Sequence, residues 1–311
     1  MLLTCVGGEA SSPARRSTGQ QPPDSYRISV DVDLVVLQAT VRDRKGGFAP
    51  DLREQDFAVY EDGAPQAIKL FRREDVPVTV GLVIDHSGSM MERLNHVIAA
   101  ARTFVRASNQ EDRMFVVNFN EKVSLGLPPT IPFTNRPDEL ELAILRAPVA
   151  GQTALYDALS LSLSRLQASD REKKALIVIS DGGDNASVLR LAEVVNIAGQ
   201  SNALVYTIGI YGEQDPDKNP GVLRQLARST GGDAFFPQEM GEVVEICERI
   251  AREIRNQYTL GYISTNTEKN GTYRNIRVEA RSKAYGKLSV RARTGYVARG
   301  APKAAPQGDS K

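Results

Sequence analysis

Val78-Thr79-Val80-Gly81-Leu82-Val83-Ile84-Asp85-His86-Ser87-Gly88-Ser89 is the stretch from which the rest of the chain is best read. A short, nearly continuous apolar run ends on an aspartate, as in a strand covered on both faces. Directly afterwards the period changes. From Met90 to Ala107 the residues Leu94, Val97, Ile98, Ala101, Phe104 and Val105 recur at helical spacing and share one face. A buried strand, a polar turn and an amphipathic helix make half of a βαβ unit.

Downstream the same grammar repeats. Met114–Val117, Ala175–Ile179 and Leu204–Ile210 are further short apolar runs. Between and after them lie helical patterns over Pro137–Ala147, Ala154–Ala168, Val188–Gln200, Pro220–Thr230 and Gly241–Gln257. This alternation predicts an α/β, Rossmann-like domain over residues 76–257, with a mostly parallel central sheet and helices on both faces.

On either side the period is two. Ile28–Val41 alternates apolar and polar residues, and Phe57–Tyr60 and Ile68–Phe71 follow, with Glu61-Asp62-Gly63 as a hairpin signal between them. Tyr258–Ile263, Tyr273–Ala280 and Leu288–Arg293 resume that pattern after the last helix. Neither flank has enough strands to stand alone. Residues 26–75 and 258–299 are therefore expected to pair in a small antiparallel β sandwich with the α/β domain inserted between them. Residues 300–311 read as a disordered polar tail.

The 311 residues are 41% hydrophobic and 25% charged, enough to bury a sizeable core. Lys plus Arg number 39 and Asp plus Glu 38, a formal charge of +1, so there is no net field to draw in nucleic acid. No apolar run approaches the roughly 18 residues of a membrane span. Met1–Gly8 has the look of the end of a hydrophobic leader, with Cys5 as a candidate lipid-anchor site, and residues 9–25 suit a tether. The expectation is a cell-envelope or secreted setting, with a cytoplasmic one as the alternative. Cys247 lies in a helical pattern, where an unpaired cysteine behaves as a small apolar residue.

The chemistry gathers at strand ends. Asp85, Ser87 and Ser89 alternate after the first run, Thr153 opens a helix after Gly151-Gln152, and Asp181 closes the run ending in Ser180. In an open α/β sheet, carboxyl ends of strands and their loops meet in one crevice. Gly88 is expected to let the turn bend and Ser89 to cap the following helix. Two carboxylates and three hydroxyls, without histidine or cysteine, select a hard cation such as magnesium, manganese or calcium and disfavour zinc. Five side chains leave a place in the sphere for a carboxylate from another molecule. His86 is expected at a loop or surface position facing away from the centre, and Asp184 and Asn185 as solvated loop residues, with tuning the rim of the site or orienting water as their alternative role.

These five positions resemble the metal-ion-dependent adhesion site of von Willebrand factor type A domains. The resemblance covers residues 76–257. It implies that Ser87, Ser89 and Thr153 touch the metal directly, that Asp85 and Asp181 act directly or through water, and that an acidic residue of a protein ligand completes the sphere. The flanks are similar to bacterial VWFA-related proteins in Phe57-Ala58-Val59-Tyr60-Glu61-Asp62-Gly63, Gln257–Tyr262 and Arg293-Thr294-Gly295-Tyr296. The resulting expectation is a non-enzymatic, magnesium-dependent protein-binding module with no catalytic residues. The alternatives are a metal-dependent hydrolase using His86 or Asp184 as base, and a scaffold in which the metal only stiffens loops.

Overall fold

The computed structural model describes residues 34–73, 75–212 and 215–299. In chain order these form β1 (Leu34–Arg42), β2 (Phe57–Glu61), β3 (Ala64–Gln66) and β4 (Ile68–Arg72). Next come β5 (Val78–Asp85), α1 (Leu94–Ala107), β6 (Arg113–Phe119), β7 (Val123–Leu125), α2 (Pro137–Ile144) and α3 (Leu155–Gln167). They are followed by β8 (Lys173–Ser180), α4 (Leu191–Gln200), β9 (Ala203–Gly209), α5 (Pro220–Thr230), β10 (Ala234–Phe235) and α6 (Glu242–Arg255). The chain closes with β11 (Tyr258–Ile263), β12 (Asn270–Ala280), β13 (Ser289–Arg291) and β14 (Gly295–Arg299).

Six strands make the central sheet in the order β10-β9-β8-β5-β6-β7. All neighbours run parallel except β7, which turns back along β6. β5 and β9 are buried along their whole length, which explains why they read as continuous apolar runs rather than alternating ones. One group of helices comprises α1, α2 and α6, and the other α3, α4 and α5. Local chemistry sets several helix ends. For α5, Asn219 Oδ1 accepts from Val222 N at 3.2 Å, Pro220 fills the first turn, and Gly231 closes the helix at φ 87°. In α6, Glu242 and Glu245 sit in the first turn and Arg252 and Arg255 in the last, each sign matched to the helix dipole.

The flanks interleave as expected. One sheet has the order β13-β1-β11-β4 and the other β14-β12-β2-β3, so each mixes strands from both ends of the chain. β1 and β11 run antiparallel with Leu37 opposite Leu260. Val35, Leu37, Ala39 and Val41 face inward with Tyr258, Leu260 and Tyr262, and Phe57, Val59 and Ile276 close the core from the other sheet. Each sheet alone would expose one apolar face.

Some expectations need correction. The Asp62-Gly63 turn, at φ 47° and 83°, joins β2 to β3 rather than to Ile68–Phe71, which crosses to the other sheet beside β11. The three-residue β3 was too short to read as a strand. β7 and β10 are short edge additions without their own apolar signal. The leader, tether and Cys5 readings, and the tail at 300–311, lie outside the described residues. Among the described residues no helix is long and apolar enough to cross a membrane.

A polar knot joins the two parts. Glu253 on α6 is fully buried and accepts from Arg42 at 2.5 Å, Thr40 at 3.3 Å, Tyr206 at 2.9 Å, and also from Arg291. Gln257 Nε2 donates to Thr40 Oγ1 and Tyr206 Oη. A buried carboxylate is tolerable because guanidiniums and hydroxyls surround it. Cys247 in the same helix is unpaired, and burial pushes its thiol up to about 12, in keeping with an inert apolar role.

Candidate metal centre

Asp85 ends β5 and Ser180 ends β8, its parallel neighbour, so both arrive at the same edge of the sheet. Asp85 is fully buried. Its Oδ1 accepts from Ser87 N at 2.8 Å and its Oδ2 from Ser180 Oγ at 2.6 Å. Both partners are neutral. Burial therefore dominates, and it pushes the carboxyl up from 3.8 to about 6 against the pull of those hydrogen bonds, with neighbouring Asp181 adding to the rise.

Asp181 follows Ser180 directly. Its Oδ1 accepts from Gly183 N at 2.9 Å, and its Oδ2 accepts from Ser89 Oγ at 2.9 Å, a bond between residues 92 apart in sequence. Ser87 and Ser89 hydroxyls lie 3.1 Å apart. A hydroxyl has one proton, and that of Ser89 goes to Asp181, so Ser87 donates within the serine pair. Asp85, Ser87, Ser89 and Asp181 are thus linked in series, through the Ser87 amide and the two serine hydroxyls.

The loop that precedes Thr153 is tied to the Asp85 turn through its backbone: Ala150 N donates to His86 O at 3.0 Å and Gly88 N to Gly151 O at 3.4 Å. On its other side, Thr153 N donates to Asn185 Oδ1 at 2.9 Å, and Thr153 O accepts from the amides of Asn185 and Ala186. Two glycines permit these loops. Gly151 and Gly182 have φ 83° and 85°, and a Cβ on Gly182 would lie 2.5 Å from Asn219 O.

Gly88 has no such strain and nothing within 4 Å of an added Cβ, so it is not the residue on which the bend depends. Ser89 does not cap α1 either. Residues Gly88–Met90 form a 3-10 turn, α1 begins only at Leu94, and the Ser89 hydroxyl is used on Asp181. His86 is fully buried rather than in a surface position. Its Nε2 lies 3.1 Å from Asn118 Oδ1, its Nδ1 has no partner among the described residues, and burial lowers its pKa.

Three polar residues matter more than their sequence context suggested. Ser180 holds Asp85 and accepts from Gly182 N at 3.0 Å, yet as the last residue of an apolar run it gave no distinguishing signal. Asn185 fixes the Thr153 loop. Asp184 accepts from Tyr156 N at 2.9 Å and Ser187 Oγ at 2.6 Å at the start of α3, so it is a bonded cap rather than a solvated residue.

Among the described residues no group of three or more His, Cys, Asp or Glu is placed to hold a metal. Here hydroxyls supply most of the donors. A hard cation fits this set: every donor is oxygen, the two carboxylates have no cationic partner among the described residues, and Gly88 and Ser89 are exposed while Asp85, Ser87, Thr153 and Asp181 are buried.

Residues 79–249 match the family model of the von Willebrand factor type A domain. An uncharacterized protein of Synechocystis sp. is 25% identical over 187 residues, 58% of this chain and 42% of that protein. An uncharacterized protein of Borreliella burgdorferi is 27% identical over 139 residues, 44% of this chain and 38% of that protein. The chain thus spans less than half the length of these curated relatives. A von Willebrand factor type A structure from Catenulispora acidiphila shares the fold at a TM-score of 0.51 and 15% identity, covering 86% of this chain and 75% of that one.

Proposed function

The chain belongs to the von Willebrand factor type A domain family, and from that premise we propose that it is a non-enzymatic protein-binding module that adheres through one divalent cation. Magnesium is the favoured ion, with manganese or calcium as substitutes, and Asp85, Ser87, Ser89, Thr153 and Asp181 would hold it. Bound there, the ion supplies a Lewis-acidic point of attachment for a carboxylate of the partner protein.

The observation that carries this reading is the bond from Ser89 to Asp181 at 2.9 Å, beside a fully buried Asp85 that has no cationic side chain bonded to it among the described residues. Both Asp85 oxygens already accept hydrogen bonds from inside the fold, which favours contact with the ion through water. Ser87 and Ser89 have lone pairs free for direct contact. The non-enzymatic part is supported by how the two candidate bases are engaged, His86 by Asn118 and Asp184 by the first turn of α3. An envelope or secreted setting goes with the same reading, and fractionation of cells expressing the full-length protein checks it.

Calorimetric titration of chelator-stripped protein with magnesium chloride is the direct test. One ion should bind per chain, and Asp181→Ala and Ser89→Ala should each abolish or severely weaken that binding. Partner capture should then need the ion and an acidic residue on the partner. Capture that persists in chelator, or in Asp85→Ala, would count against the proposal.

A further inference from the structure

Ser89 and Asp181 stand 92 residues apart in sequence, and a third part of the chain, between β9 and α5, is bonded to both of their loops. On the Asp181 side, Asn219 N donates to Asp181 O at 3.0 Å. A Cβ on Gly183 would lie 2.8 Å from Asp217 O, so the backbone at Asp217 rests directly on the residues that follow Asp181.

On the Ser89 side the link is Arg93. Gly88–Met90 is a 3-10 turn and α1 begins only at Leu94, so this stretch is not one continuous helix. Arg93 N donates to Met90 O at 3.0 Å, while the Arg93 side chain reaches back to the Ser89 carbonyl, Nη1 donating at 2.9 Å. The same nitrogen lies 3.0 Å from Asp215 Oδ2, which also accepts from Gly212 N at 2.5 Å. A Cβ on Gly212 would come within 3.2 Å of Arg93 Nη2, so the guanidinium lies against the backbone there as well. The Arg93 and Asp215 side chains are 20% and 23% exposed, so solvent ions screen this pair less than one standing free in water.

The contacts have two consequences for an ion. Fixing the Ser89 carbonyl fixes the plane of its peptide and so restricts where the Ser89 hydroxyl can go, and outer partners of this kind tighten metal binding. A guanidinium four residues from a metal-holding serine would by itself repel a divalent cation, and the Asp215 carboxylate offsets that charge.

We infer that Arg93 and Asp215 are positioning residues of the metal centre: the pair holds Ser89 opposite Asp181, and its own neutrality lets an arginine do so beside a divalent ion. Neither residue is asked to touch the ion. The inference rests on the proposed function, and its test separates the two.

Magnesium titration by calorimetry and hydrogen exchange of the metal-free full chain are the two measurements. Arg93→Ala should weaken magnesium about tenfold and speed exchange over Ser87–Met91 in the absence of metal. Arg93→Lys should recover most of both, because one ammonium nitrogen can meet Ser89 O and Asp215 together, as Nη1 alone does. Asp215→Ala leaves the guanidinium on Ser89 but without its counter-charge. It should weaken magnesium about tenfold at low salt, and the loss relative to wild type should shrink at about 0.5 M sodium chloride, whereas the Arg93→Ala loss should not. A pair that only stabilised the fold would give losses that salt changes alike in both variants. Wild-type magnesium affinity or unchanged exchange in Arg93→Ala, no recovery in Arg93→Lys, or a salt-independent loss in Asp215→Ala would each overturn the inference. A wild-type chain that binds no magnesium would bring down the proposed function and this inference with it, while wild-type binding that Arg93→Ala leaves intact would sink the positioning pair alone.

Discussion

Asp85 and Glu61 are both almost completely removed from water, at 0% and 2% exposure, and the protein treats them in opposite ways. In the sandwich, Glu61 receives Arg274 at 2.9 Å, Tyr262 at 2.6 Å, Tyr296 at 3.0 Å and Ser264 at 2.5 Å. Burial alone would raise its pKa, but these donors outweigh it and hold the carboxyl below its ordinary value. At the carboxyl edge of the central sheet, Asp85 receives one amide and one hydroxyl, and burial wins. Where the fold closes a buried charge with its own guanidinium, the region is finished. Where it supplies only dipoles, a cation from outside has something to gain.

Removing the internal cation should have the largest effect. Arg274→Met leaves Glu61 buried and uncompensated, and should cost about 3–5 kcal/mol at pH 7 by urea unfolding. Because the folded Glu61 pKa is lowered, that pair's contribution is present at neutral pH and fades as pH falls below the ordinary 4.5.

Asp85 should show the opposite slope. Its folded pKa is raised from 3.8 to about 6, so metal-free stability is highest below that window and falls as pH rises through it. The drop should be about 3 kcal/mol, at roughly 1.4 kcal/mol per pH unit. Thermal unfolding across pH 4 to 7 measures it, and under the proposed function saturating magnesium, by binding the ionised form, should flatten it. A slope unchanged by magnesium would separate Asp85 from the ion.

Asp85→Asn sharpens the contrast further. The metal-free variant should be about 1–2 kcal/mol more stable than wild type at pH 7, because the uncompensated charge is gone, while its magnesium response disappears. Glu61→Gln should lose stability. The smallest effect belongs to Ser180→Ala. Loss of its 2.6 Å bond to Asp85 should weaken magnesium binding about tenfold and cost about 1 kcal/mol without the metal.

Legibility in the sequence followed how local each signal was. The runs that became β5, β8 and β9 announced themselves because both faces are covered, and α5 carried its own Asn219, Pro220 and Gly231 punctuation. The three-residue β3 and the edge strand β7 had no pattern long enough to detect. His86 was misplaced because alternation along a turn says nothing of what packs around it, and Asn118, its partner, lies 32 residues away. Ser180 escaped notice because a serine ending an apolar strand acquires its role only when β8 is laid beside β5.

By itself, then, the chain's order of residues determined a parallel α/β unit flanked by β segments, and it nominated five oxygen-bearing side chains at strand ends. Periodicity and residue chemistry are properties of short stretches and survive without neighbours. Tertiary structure alone decided that Ser89 bonds Asp181, and that Asp85 is shut from water with no cationic side chain beside it among the described residues while Glu61 has Arg274. Each of these depends on groups distant in sequence being brought within a few ångströms, where desolvation and hydrogen bonding set the energy.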